Sequence, residues 1–114
     1  MSKYNAEYFI NKFSKIPNSS WTDNGEYSNQ DGSKCALGLC GANYTSNTKE
    51  GTALHLLFIR KLGAYVSNIN DGGPPCGMIY NNFCVPKEKA LLLGKTPKQR
   101  VLTALELIAA GISI

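Results

Sequence analysis

Residues 96–111, TPKQRVLTALELIAAG, decide the fold because they carry the clearest helix signals in the chain. Thr96 suits the N-cap, and Pro97 suits the first helical position, where its missing N–H costs nothing. Gly111 follows the last apolar residue, where glycine commonly ends a helix. The apolar positions recur at helical spacing, namely Val101, Leu102, Leu105, Ile108 and Ala109. The segment therefore predicts an amphipathic helix with one face in a core.

Two longer segments upstream predict helices of the same kind. Residues 4–15 end before Pro17 and place one apolar face at helical spacing, comprising Ala6, Phe9, Ile10 and Phe13. Residues 47–63 begin with Asn47 and Glu50 in a capping-box arrangement and end at Gly63. Their expected buried stripe comprises Ala53, Leu54, Leu57, Phe58 and Leu62.

A shorter helix is expected over residues 34–41, with Ser33 as its N-cap. Gly38 lies inside this helix, where glycine costs about 1 kcal/mol relative to alanine. A glycine in that position indicates that another helix or a ligand approaches the backbone closely. With these four helices, the chain is predicted to be mainly α and to form one small domain over residues 1–114.

The connecting segments are less regular than the helices. The turn dipeptides Asn24-Gly25 and Asp31-Gly32 permit a short hairpin between them. Tyr65, Val66 and Ile69 suggest a short strand or an extended passage over residues 65–69. Trp21 is expected to fold back onto the core and anchor the loop.

The composition bounds the class of protein. Of 114 residues, 43% are hydrophobic and 18% charged, which is ordinary for a globular domain. No secretory signal opens the chain, and no apolar run approaches the roughly 20 residues that span a bilayer. We therefore expect a cytoplasmic protein without membrane association, with its four cysteines reduced. No phosphate-loop or dinucleotide motif is present, and no cofactor is expected.

Positive charge is concentrated in residues 87–100, which overlap an irregular excursion over residues 74–94 with a helical turn at 87–93. Glu88 is accompanied there by five bases, namely Lys87, Lys89, Lys95, Lys98 and Arg100. Such a stripe could contact nucleic acid or an anionic ligand. Bases beside a helix start are more often a solvated face, and no aromatic residue alternates with them for stacking. Nucleic-acid binding is therefore not the favoured function.

Cys35, within SKCALGLCGA at residues 33–42, is the candidate nucleophile. Its place near a helix start and beside Lys34 favours a thiolate. His55, the one histidine, could act as base if Asn70 or Asp71 oriented it, which would resemble a cysteine hydrolase or transferase. The favoured interpretation is that Cys35 is a small buried hydrophobe.

A zinc site is less favoured than either role for the cysteines. The spacings Cys35-x4-Cys40 and Cys76-x7-Cys84 differ from the tight knuckles of structural zinc sites. On one helix, Cys35 and Cys40 would point about 140° apart. No metal is therefore expected.

Several motifs follow one another in a distinctive order. Trp21 in a polar loop precedes Cys35-Ala36-x-Gly38, then Asn70-Asp71-Gly72, then Thr96-Pro97-x-x-Arg100. This order resembles a family of small uncharacterised domains found in bacteria and their phages. The resemblance covers about residues 5–110 and implies a phage or mobile-element origin, without implying an activity.

The motif order also suggests a binding site. If the fold gathers Trp21, Cys35, Asn70, Asp71 and Arg100, they would form a pocket with an aromatic wall, a carboxylate and a cation. That mixture is typical of small-ligand sites. Taken alone, the Asn70-Asp71-Gly72-Gly73 motif is better explained as a plain turn, in which Asn and Asp bond to their own local backbone, than as a metal-, phosphate- or hydroxyl-binding loop. The favoured function is a non-enzymatic binding protein for a small anionic ligand or a host protein.

Overall fold

The computed structural model describes residues 3–24, 27–43, 45–73 and 82–113. Within these ranges it contains one 3₁₀ turn, Asn18–Ser20, and six α-helices. The helices are α1 (Ala6–Ser14), α2 (Ala36–Leu39), α3 (Lys49–Leu62), α4 (Val66–Asn70), α5 (Lys87–Leu93) and α6 (Pro97–Ala110). The prediction of a small, mainly α domain is confirmed, with two more helices than the four expected.

Helix α6 is central, because it contacts each of the other five helices. Its start is the predicted one, since the Thr96 hydroxyl accepts a hydrogen bond from the Gln99 N–H at 3.1 Å. Gly111 ends the helix in the left-handed region, with φ at 73°. The fully buried face comprises Val101, Ala104 and Leu105.

Helices α1 and α3 both pack on α6. In α1, Phe9 and Phe13 are fully buried, with 5.8 Å between their ring centroids. Helix α3 is capped by Thr48, which accepts from the Gly51 N–H at 2.9 Å, and not by the predicted Asn47.

Two further local predictions, besides the Asn47 cap, were wrong. Residues 66–70 form helix α4 and not a strand, because Val66, Ile69 and Asn70 share one side of a helical turn and are fully buried. Helix α2 begins one residue after Cys35, which takes the N-cap position assigned to Ser33. Ser33 instead hydrogen-bonds to Asp31: both the N–H and the hydroxyl of Ser33 donate to the Asp31 carboxylate.

The close approach predicted at Gly38 is present, although the neighbour is a loop. A Cβ added at Gly38 would lie 2.0 Å from the backbone carbonyl oxygen of Tyr27. The described part of the hairpin amounts to one antiparallel bridge between Ser28 and Lys34. Gly25, in its first turn, lies outside the described residues.

The predicted helical turn at residues 87–93 is confirmed as α5. The earlier part of the predicted excursion, residues 74–81 with Cys76, lies outside the described residues. None of the described helices combines the length and apolar character that crossing a bilayer would need.

Candidate functional site

Asn70 lies at a junction of three segments and is fully buried at the end of α4. Its side-chain carbonyl accepts from the Ala36 N–H at 3.1 Å, which satisfies one of the donors that α2 leaves free at its start. Its amide nitrogen donates to the Thr22 carbonyl at 2.8 Å and to Asp71 Oδ1 at 3.0 Å. One side chain therefore ties α2, α4 and the loop after Trp21 together.

Arg100 closes this junction from the side of α6, with only 2% of the residue exposed. Its Nε donates to the Ile69 carbonyl at 3.0 Å and its Nη2 to the Asn70 carbonyl at 2.8 Å. Those carbonyls end α4 and have no partner within the helix. The guanidinium also donates to the Gly94 carbonyl at 3.4 Å and pairs with Asp23 at 3.3 Å. Three backbone carbonyls and the Asp23 carboxylate therefore already accept hydrogen bonds from the guanidinium.

The predicted Asn70-Asp71-Gly72 turn covers the guanidinium. Gly72 has a φ of +80°, and a Cβ added there would lie 3.4 Å from Arg100 Cζ. The Gly72 N–H donates to the Ile69 carbonyl at 3.2 Å. The turn is thus part of the packing around Arg100, which explains its glycine.

Cys35 is buried beside this junction. Its Sγ accepts from the Gly38 N–H at 3.5 Å and caps α2. Burial raises the pKa of the Cys35 thiol, and the negative charge of Asp71 adds to the effect. Hydrogen bonds from the backbone of α2 act in the opposite direction without reversing it. The environment therefore favours the neutral thiol over the thiolate.

His55, the candidate base, is placed on α3. Its ring stacks on Tyr65 at 6.0 Å between centroids. Among the described residues, no hydrogen bond joins His55 to Cys35. The proposed nucleophile–base pair is therefore not assembled in this conformation.

Trp21 is buried, as predicted for a residue that anchors its loop. Its ring packs edge-to-face on Phe13 at 5.1 Å, and its Nε1 donates to the Ile16 carbonyl at 3.4 Å. The ring therefore belongs to the core formed with α1.

Four of the five predicted ligand-binding residues thus lie at one junction, namely Cys35, Asn70, Asp71 and Arg100, whereas the Trp21 ring is directed toward α1. In the described part of the chain, every buried side-chain nitrogen or oxygen atom has a hydrogen-bond partner. The junction consequently stabilises the fold through its own polar groups.

A second polar cluster joins α1 to α3 and was missed from the sequence. Glu50 accepts from the Tyr8 hydroxyl at 2.5 Å and pairs with Lys12 Nζ at 2.5 Å. The buried Cys40 thiol interacts with the same carboxylate. The available signal was the four-residue spacing of Tyr8 and Lys12 on α1, but Glu50 had been assigned to a capping box with Asn47.

The cluster shifts the titration of its members. The hydrogen bond to Glu50 raises the pKa of Tyr8 to about 12. Burial, and then the Glu50 charge, raise the pKa of Cys40 to about 12. Burial alone would raise the pKa of Glu50, but hydrogen bonds from Lys12 and Tyr8 outweigh it and lower that pKa. Glu50 is therefore held as a carboxylate, and its neighbours keep their protons.

Three surface grooves are lined entirely by described residues other than those of the junction. Two adjoin along α3 and share Leu57 and Lys61, with volumes of about 200 and 320 Å³. The third, of about 480 Å³, lies along α6 and is lined by Lys98 and Glu106 among others. None of the three is lined by a predicted ligand-binding residue. Among the described residues, no group of three or more histidine, cysteine or acidic side chains could hold a metal ion.

Among the large apolar side chains that the structure describes, the most exposed one lies on α5. Leu91 is 48% and Leu92 86% exposed. Lys87, Lys89 and Lys95 are exposed beside them. These five residues are called the α5 patch below.

Comparison with protein-family models, curated proteins and solved structures found no match.

Proposed function

We propose that this chain is a non-enzymatic binding protein and that its partner, another protein, docks on the α5 patch. The observation that carries the proposal is the exposure of Leu91 and Leu92 on one helix. Single exposed leucines are ordinary, whereas adjacent ones rimmed by polar side chains are typical of interaction sites.

Helix α5 is well held for such a role. Ala90 is fully buried and Leu93 nearly so, and α5 packs against α6. A partner would therefore meet leucines whose backbone is already ordered, which lowers the entropy cost of association.

The alternative, a cysteine hydrolase or transferase, has less support. A nucleophilic cysteine needs a lowered pKa and a base within reach. Burial raises the pKa of Cys35, and His55 stacks on Tyr65.

A small anionic ligand at the junction also has less support than a protein partner. Arg100 and Asn70, which would have to recognise the ligand, already hydrogen-bond to the backbone of α4, α2 and the loop. A ligand would have to displace these bonds, which would cost fold stability.

We further propose a cytoplasmic location and a phage or mobile-element origin. Cys35, Cys40 and Cys84 are free thiols, which suits a reducing compartment. The origin is supported by the resemblance in motif order alone.

The test introduces a photo-cross-linking phenylalanine analogue at Leu92, in the chain expressed in the cells that encode it. Ile112, 54% exposed and beyond the far end of α6, is the matched control position. We expect a covalent adduct with a defined protein from position 92 and none from position 112. No adduct from position 92, or the same adducts from both positions, would contradict the proposal.

A further inference from the structure

The charges around the exposed leucines restrict what can dock there. Lys87, Lys89 and Lys95 are all exposed, and Glu88 is the one acidic residue in the segment 87–100. Within the described residues, the recorded ion pairs are Lys12–Glu50 and Arg100–Asp23, so none involves these three lysines. Glu88 is itself exposed and lies three residues before Leu91 and four before Leu92, so three lysines against one glutamate leave the α5 patch with a net positive charge.

The sequence spacing places this charge on the same side as the leucines. Lys87 precedes Leu91 by four residues and Lys89 precedes Leu92 by three, so each exposed leucine has a lysine one helical turn before it. Lys95 follows directly after Gly94, which ends α5. The apolar pair is thus bordered by cations at both ends of the helix.

Lys98 and Arg100, the remaining bases of the segment, do not belong to the α5 patch. Lys98 is half-buried, and its Nζ donates to the Ser14 carbonyl at 3.2 Å. Arg100 contributes no charge to this surface. It is 2% exposed, pairs with Asp23 and donates to three backbone carbonyls. The basic segment therefore divides into a buried structural arginine and a free lysine surface.

Resting on the function proposed above, we infer that the partner presents an acidic protein surface around an apolar groove that receives Leu91 and Leu92. Complementary charge steers such an encounter and fixes its register, while the buried leucines supply affinity. A second copy of this chain would bring lysines against lysines about a twofold axis. Anionic lipid has the complementary charge, but two leucines on a seven-residue helix give only marginal insertion.

The test uses random linear peptides displayed on yeast, selected against the wild-type protein and counter-selected against the double variant L91S/L92S. We expect the enriched peptides to be acidic and to carry apolar anchors. Their Kd should weaken at least about thirtyfold in L91S/L92S. It should weaken about tenfold in K87E/K89E, or on raising salt from about 0.1 M to about 0.5 M. Ile112→Ser is the control that should leave binding unchanged, and unchanged melting temperatures establish that each variant folds.

The contrary outcomes are distinguishable from one another. Leucine-dependent peptides that are neutral or basic, with binding insensitive to salt, would overturn the acidic partner and leave the proposed function standing. Failure to enrich any leucine-dependent peptide would overturn both. Leucine-dependent binding to vesicles of phosphatidylserine in phosphatidylcholine, absent with phosphatidylcholine alone, would assign the patch to lipid. A concentration-dependent dimer lost in L91S/L92S would assign it to a second copy of the chain.

Discussion

Substituting Asn70→Asp tests whether the buried junction holds the fold together. The two side chains have nearly the same shape, so packing is preserved and only the hydrogen-bonding pattern changes. Asn70 donates to the Thr22 carbonyl at 2.8 Å and to Asp71 Oδ1 at 3.0 Å. A carboxylate can donate neither bond, although it can still accept from the Ala36 N–H.

The expected loss follows from these contacts. Leaving a buried acceptor without its donor costs about 1–3 kcal/mol, and the new charge also faces the Asp71 carboxylate. Arg100, bound to the backbone carbonyl of residue 70, offsets part of that repulsion. We expect a net loss of about 3 kcal/mol at neutral pH, against a total stability typically of about 5–15 kcal/mol. The melting temperature should fall by about 12 °C.

The loss should depend on pH in a definite direction. We expect burial and the neighbouring Asp71 to raise the pKa of the introduced carboxyl above its ordinary value of about 3.9, against the smaller opposing effects of the Ala36 N–H and Arg100. The folded state therefore binds the proton more tightly than the unfolded state. The pH-dependent part of the deficit is absent below the unfolded pKa and grows by about 1.4 kcal/mol per pH unit until the folded pKa is reached.

Urea unfolding followed by the fluorescence of Trp21, the single tryptophan, measures this effect at about pH 4 and about pH 7. Asn68→Asp on the same helix is the matched control, because Asn68 Oδ1 accepts from the Val85 N–H and an aspartate can still do so. We expect the control to stay within about 1 kcal/mol of wild type. An Asn70→Asp variant as stable as wild type at neutral pH, or a deficit that does not change with pH, would refute the reasoning.

Three further predictions concern other parts of the fold. Gly38→Ala should destabilise the protein by about 2 kcal/mol despite alanine's helix propensity, because its Cβ would meet the Tyr27 carbonyl oxygen 2.0 Å away. The Cβ added in Gly51→Ala would instead meet the exposed Asn47 side chain, which can rotate, and the capping Thr48 hydroxyl at 3.2 Å, so urea unfolding should show a smaller loss of about 1 kcal/mol. Equal losses in the two variants would contradict this account. Cys35 is buried and its pKa is raised, so it should react with iodoacetamide at least about tenfold more slowly than the half-buried Cys84. Peptide mapping by mass spectrometry measures both rates, and faster labelling at Cys35 would support the nucleophile hypothesis. Because the pKa of Glu50 is lowered below 4.5, its carboxylate stabilises the fold above that pH and loses this effect as pH falls through the folded pKa. Thermal melts should therefore show Glu50→Gln less stable than wild type at neutral pH and equal to it in acid, and a constant difference across pH would count against the assigned ion pair.

The helices predictable from the sequence are those with local start and stop signals. Helix α6 matches because Thr96, Pro97 and Gly111 act through contacts within one turn of themselves. Helix α4 was mistaken for a strand because its five residues are too few for the apolar period to separate helix from strand. Its helical form depends on burial of Val66 and Ile69 against other elements, which no local signal records.

The sequence indicated which residues could lie near one another at the site, but not which hydrogen bonds they would form. Motif order suggested a pocket of Trp21, Cys35, Asn70, Asp71 and Arg100; the structure places the last four around one junction and the Trp21 ring against α1. That Asn70 would bond to Ala36, 34 positions earlier, and Arg100 to the carbonyls of α4 depends on tertiary placement. From the sequence, only the positive charge of the α5 patch could be recognised. A seven-residue helix is too short for its apolar spacing to show which of its leucines face the core.

The central place of α6 has a consequence for how the chain is made. Of the six described helices, α6 leaves the ribosome last, yet every other helix packs on it. Until residue 100 emerges, the Asn70 carbonyl lacks its Arg100 donor and the Ile69 carbonyl has the Gly72 N–H alone, while the faces of α1 and α4 that pack on α6 stay uncovered. The earlier helices are mostly too short to persist alone in water. We therefore expect the nascent chain to stay open to proteases and chaperones until residues 97–110 have emerged, and to fold in one step once they are free.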